Sequence, residues 1–213
     1  MGLKKRRKNK SKLKEDLSYD KVAKKQPIIE PKVKEEDHFY PDYLFKVLLV
    51  GHNDSGKITH LENFGTSWFK ANTKLTIGIS FEIKEIKIEN LYIKLQIWDL
   101  AIQDHWRPLV PLYCRGALGA ILMFEISNSE TLDKLSQWVQ TIRDNTANIP
   151  MILMGNYDDL NDLRQVSEQE GLDFVRSEEL DGYFECNVLT GANLNTVFES
   201  LIKMIIKNYE NEN

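Results

Sequence analysis

From about residue 44 onward, two patterns of apolar and polar positions take turns along the chain. Residues 45–50, 119–126 and 150–155 are continuous apolar runs, as expected of parallel strands buried on both faces. Residues 80–88 (SFEIKEIKI) and 92–98 (YIKLQIW) alternate apolar with polar, which predicts a hairpin at a sheet edge with its turn at 89–91. Leu132, Leu135, Trp138, Val139 and Ile142 recur at helical spacing. So do Leu194, Val197, Phe198, Leu201, Ile202 and Ile205, which predict a final helix over 193–208 with Asn193 as its N-cap. Ser167 and Glu170 have the spacing of a capping box that opens a helix reaching about Arg176, and 183–188 reads as the last strand. Strands alternating with helices define an α/β fold, a mostly parallel sheet with helices on both faces and an antiparallel hairpin at one edge.

One stretch departs from simple core pattern. In 48–59 (LLVGHNDSGKIT) an apolar strand meets a loop with glycines at both ends, and Lys57 opens a predicted short helix over 57–64. Gly51, Gly56 and Lys57 satisfy G-x-x-x-x-G-K, the pattern of a phosphate-binding loop. Glycine lets successive backbone N–H groups turn toward phosphate oxygens, the helix N-terminus adds its dipole, and the lysine supplies a mobile cation. The Ser or Thr expected after the lysine is Ile58, which has no hydroxyl to offer a magnesium ion.

Composition changes the picture mainly at the N-terminus. The chain has 213 residues, 42% of them hydrophobic, enough for one substantial core plus an appendage. Residues 1–25 hold eleven Lys/Arg against Glu15, Asp16 and Asp20, a net of +8, so the rest carries −12 within an overall charge of −4. That balance predicts a disordered basic tail and linker over 1–42, a folded domain over 43–209 and a short polar end over 210–213. Such a tail suits an anionic membrane surface, nucleic acid, or solubility alone. No apolar stretch has transmembrane length and no signal peptide is visible, so the expected place is the cytoplasm, with peripheral membrane association as an extension. Cys114 and Cys186 read as reduced core thiols, and residues 208–213 lack a cysteine for a prenyl anchor.

These pieces, joined to TIGISF (76–81), WDLAIQ (98–103) and YCRGALGAI (113–121), resemble a Ras-like small GTPase of the Rab branch over residues 44 to about 207. The resemblance implies a P-loop NTPase fold with a six-stranded sheet, binding of GTP or GDP with Mg2+, and a guanine-nucleotide switch. It places Gly51, Asn53, Asp54, Ser55, Gly56, Lys57, Ile58 and Thr59 at the phosphates and Phe69 against the guanine edge. Thr76 and Asp99 then hold the metal, and Gln103 orients the hydrolytic water. Asn156 and Asp159 read the base, the carboxylate accepting two N–H bonds. Val188 presents a backbone N–H to the base oxygen. Phe81, Trp98 and Tyr113, with Trp106 nearby, fall where such proteins offer an aromatic patch to effector or regulator proteins. A monomer is expected.

Several departures fall inside this implied site. Beyond Ile58, Asp54 sets a carboxylate in an anion-attracting loop, Asn53 crowds the place of the attacking water, and Ile102 replaces a glycine that contacts the γ-phosphate. Tyr157 replaces a lysine whose stem covers the base, and Asn187 and Leu189 replace residues of the last motif. The recognition residues are spared while metal and γ-phosphate contacts are damaged. Nucleotide binding with slow hydrolysis is therefore the expectation, and a pseudo-GTPase interaction module is the alternative.

Overall fold

The computed structural model of the chain describes residues 41–51, 74–75, 79–100, 108–157, 163–188 and 190–212. The expected tail and linker over 1–42, all but residues 41 and 42, and the short helix over 57–64 lie outside them. The apolar runs become strands: β1 (Tyr43–Gly51), β5 (Gly119–Glu125) and β6 (Met151–Asn156). The alternating segments form β3 (Ile79–Ile88) and β4 (Leu91–Leu100), joined by a two-residue turn in which Glu89 takes φ 55°. A two-residue strand β2 (Lys74–Leu75) pairs outside β3, and β7 (Gly182–Cys186) closes the other edge. The sheet order is β2-β3-β4-β1-β5-β6-β7. The expected six-stranded sheet with one antiparallel hairpin is thus present, with β2 added to it.

Strands β4, β1, β5, β6 and β7 are mutually parallel, so β1 and β5 are flanked on both sides and covered on both faces. On one face, Phe45, Val47 and Leu49 pack with Leu194, Val197, Phe198, Leu201 and Ile205 of the last helix, α5 (Leu194–Glu212). On the other, Leu48 and Val50 pack with α1 (Val110–Cys114) and α3 (Leu135–Asn145). No helix among the described residues is long and apolar enough to cross a membrane.

Local chemistry explains where elements start and stop. The Ser167 and Glu170 capping box is formed, each side chain reaching the other residue's backbone, and opens α4 (Glu168–Ser177). The single helix suggested by the stripe from Leu132 to Ile142 is instead two, α2 (Ser129–Asp133) and α3, meeting at Lys134. Thr131 draws the first onto the end of β5: its Oγ1 donates to Asn128 O at 2.6 Å and accepts from Glu125 N at 2.9 Å. Helix α1 was not anticipated; Pro111 sits in its first turn, where a missing N–H is harmless.

Two boundaries differ from expectation. Asp42, placed in the linker, exchanges two hydrogen bonds with the Tyr92 backbone and so belongs to the domain. Helix α5 continues through the polar residues 209–212, with Tyr209 packed edge-on against Tyr43 at 6.0 Å. Asn193 stands before α5 as expected but at φ 64°, and its side-chain amide donates to Glu185 O at 3.0 Å.

The edge strand β3 inverts part of its pattern. Phe81 and Ile83 are apolar in one phase of the alternation and Ile86 and Ile88 in the other, yet the pairing with β4 runs without a bulge. The core side therefore receives Glu82 and Lys84 along with Ile86 and Ile88, while Ile83 is 51% exposed on the outer face. Burial pulls the Lys84 amine down to about 8, opposed by the Glu82 carboxylate.

Candidate functional site

The parallel strands bring their C-terminal ends to one edge, and with them Asp99, Gly51, Glu125, Asn156 and Cys186. Beta strand β1 lies between β4 and β5, so the winding reverses there, the point at which open α/β sheets bind ligands. Gly51 ends β1, buried and in register with Met123 of β5. Asp99 is paired with Leu49 at the same edge, and the residue is 5% exposed. A buried carboxylate at this place fits a hard divalent ion held directly or through water.

Asn156 is the best-defined member of the site. It is 7% exposed, and both ends of its side-chain amide are engaged. Nδ2 donates to both carboxylate oxygens of Glu125, at 3.0 and 2.9 Å, and Oδ1 accepts from Val188 N at 3.1 Å. The backbone continues the tie, Ile126 N donating to Asn156 O at 2.9 Å and Tyr157 N to Cys186 O at 3.0 Å. The Val188 N–H, expected to meet the base oxygen, is thus directed at Asn156 inside the protein. Tyr157 is half-buried and packs onto the apolar cluster that includes Val166 and Leu180.

Glu125 was not among the residues expected here. Two polar residues ending adjacent parallel strands were the available signal, since Glu125 and Asn156 share a register position. Asn187, read as a departure from the last motif, has a structural task. It is 1% exposed, its Oδ1 accepts from Thr190 N at 2.9 Å, and its carbonyl accepts from Gly191 N at 2.7 Å. That closes the turn leading into α5.

A second polar network braces β7. Arg164 donates to both oxygens of Glu185, at 2.9 and 2.7 Å, and the Tyr183 hydroxyl donates to Glu185 Oε1 at 2.7 Å. Hydrogen bonds from Arg164 hold the Glu185 carboxyl below its ordinary value despite partial burial, and Glu185 in turn raises the Arg164 guanidinium. Burial raises the Tyr183 phenol, and its hydrogen bond to Glu185 raises it further. Gly171 of α4 lies over the Tyr183 ring, where an added Cβ would come within 2.6 Å. Burial pushes the thiol of Cys114 up to about 11 and that of Cys186 up to about 12; both are free and buried, as expected of inert core cysteines.

On the outer face of the hairpin, Phe81 packs against Trp98 at 5.1 Å and Trp98 against Tyr113 at 5.9 Å. All three are partly exposed, neither sealed inward nor standing free. Lys46 lies 4.6 Å from the Trp98 ring centre and donates to Arg115 O at 2.8 Å, while its amine is lowered by burial. The Trp98 Nε1 is buried with no hydrogen-bond partner among the described residues. Ile83 and Leu44, 51% and 53% exposed, extend the apolar surface along the same face.

The remaining expected site residues lie outside the described residues: Asn53, Asp54, Ser55, Gly56, Lys57, Ile58, Thr59, Phe69, Thr76, Ile102, Gln103, Asp159 and Leu189, together with Trp106 of the aromatic patch.

The strand order, with its winding reversed at β1, defines an open, mostly parallel α/β domain, and the Ras family model matches residues 46–207. The chain belongs to the Ras family. Within it the chain is a Rab-like small GTPase, similar to "Ras-related protein Rab11A" of Nicotiana tabacum, 38% identical over 78% of this chain and 76% of the relative. "Ras-related protein Rab2BV" of Beta vulgaris is 36% identical over 79% and 78%, and "Ras-related protein RABA2b" of Arabidopsis thaliana is 35% identical over the same shares.

Proposed function

We propose that the chain is a guanine-nucleotide switch that holds GDP or GTP at the C-terminal edge of its sheet and hydrolyses GTP slowly. The observation that carries this reading is Asn156, a buried amide fixed at the end of β6 on the ligand-binding edge. In this reading the N–H groups of the loop from Gly51 to Lys57 and the Lys57 amine hold the phosphates. Asp159 accepts from the guanine N–H groups, which adenine cannot match. Gln103 holds the attacking water. Asp99 and Thr76 would hold Mg2+, which when bound neutralises charge on the phosphate oxygens. Ile58 has no hydroxyl for that ion, so the metal contributes less to affinity than in a chain with Ser or Thr there.

The partly exposed stack of Phe81, Trp98 and Tyr113, extended by Ile83, is read as the surface for effector or regulator proteins, whose capture depends on the segments around Thr76 and Gln103. The basic segment 1–25 is read as a charge-driven contact with anionic lipid or nucleic acid, in a cytoplasmic monomer.

The test is the nucleotide content of the freshly purified full chain, followed by titration with GDP and GTP with and without Mg2+. Stoichiometric guanine nucleotide, GTP turnover above background and a modest metal-dependent gain are expected, the gain growing in Ile58→Ser. A chain that is empty and refuses both nucleotides at millimolar concentration overturns the reading. One that binds nucleotide but never turns GTP over leaves a module that has lost catalysis.

A further inference from the structure

The hydrogen bonds around Asn156 determine which way its amide faces. A carboxylate has only acceptor sites, so the atom of Asn156 against Glu125 must be the NH2 group; the Val188 N–H only donates, so the atom against it must be the oxygen. The two partners therefore exclude the flipped amide, which would set two acceptors together at one end and two donors at the other. Either mismatch, buried at 7% exposure, is unfavourable by more than a lost hydrogen bond. The two oxygens of one carboxylate also subtend too narrow an angle at Nδ2 to engage both of its hydrogens. One N–H is left over at the ligand-binding edge, and a donor there suits the N7 acceptor on the outer edge of a guanine.

We propose that Glu125 is a positioning residue for base recognition: it orients Asn156 so that the second Nδ2 hydrogen is presented to N7 of the bound guanine. The inference rests on the reading of Asn156 as a base contact. Glu125 itself does not touch the base. Its leverage comes from register, because β5 and β6 run parallel and end their paired residues together at Glu125 and Asn156. The carboxylate sits at the end of a strand whose preceding residue, Phe124, is fully buried, so its backbone is held by the core.

The experiment compares, on the full chain, the affinities of GDP, 7-deaza-GDP, which lacks the N7 acceptor, and IDP, which lacks the 2-amino group. Wild type is expected to favour GDP over 7-deaza-GDP by several-fold, up to about tenfold, the worth of one hydrogen bond. In Glu125→Ala that ratio falls toward one while the GDP to IDP ratio, read at the opposite edge of the base, stays as in wild type. Glu125→Gln keeps an acceptor oxygen and retains most of the 7-deaza discrimination. Because each ratio is taken within one variant, partial loss of folded protein cancels. The proposal is overturned if Glu125→Ala keeps the wild-type ratio, if both ratios fall together, or if Glu125→Gln behaves as Glu125→Ala. A wild-type chain that binds no guanine nucleotide at all instead removes the reading under Proposed function.

Discussion

On one flank of β1, strands β5 and β6 are apolar up to their last polar residue and are covered on both faces. On the other, β4 and β3 alternate, and their outer face leaves Phe81, Ile83 and Trp98 partly in water. The covered flank ends in Glu125 and Asn156, whose contacts need placement to within a few tenths of an ångström. The open flank carries apolar area whose position tolerates adjustment, as suits a surface that meets other proteins. Rigidity thus lies beneath the proposed base contact, and adaptable surface lies where the proposed partners would dock.

That contrast can be broken at the covered flank first. Phe124 is fully buried and stacks on Tyr183 at 6.3 Å, so Phe124→Ala is expected to lower stability by about 3–5 kcal/mol in denaturant unfolding. A smaller effect tests the polar brace on β7. Arg164→Ala leaves Glu185 without its bidentate partner and is expected to destabilise by about 1–2 kcal/mol at neutral pH. Its pH dependence has a definite sign. The folded Glu185 carboxyl titrates below its ordinary 4.5, so the stability it adds is present above 4.5 and fades as pH falls through the lower folded value. Wild type and Arg164→Ala therefore converge in acid, which unfolding curves at several pH values will show. The smallest stability effect belongs to the open flank. Ile83→Ser is expected to change stability by no more than about 0.5 kcal/mol while weakening capture of a nucleotide-dependent partner, measured by pull-down with purified regulators.

The same contrast explains what was legible in the sequence. Continuous apolar runs marked β1, β5 and β6, and period-two alternation marked the hairpin, because burial on two faces or one leaves different traces. The capping box at Ser167 was visible because its chemistry is local. The break at Lys134 was hidden, since the tie from Glu125 at the end of β5 to Thr131 of α2 is a contact that no helical stripe reveals. Asn156 could be named from a motif, but Glu125, 31 residues away, enters only through strand pairing. The resemblance gives Val188 a base contact, and the pairing of its N–H with Asn156 Oδ1 is likewise visible only in three dimensions. At β3 the phase shift between Ile83 and Ile86 was present in the letters, yet only the pairing with β4 decided which phase faces water.

The edge contact between Tyr43 and Tyr209 joins the first strand to the last helix. A ribosome makes the two far apart in time: the face of β1 bearing Phe45, Val47 and Leu49 emerges long before the helix that covers it. Until that helix follows, the face is a sticky surface awaiting its cover. Without the turns that carry Leu201, Ile202 and Ile205, part of that face would stay open and leave the nascent domain to chaperones.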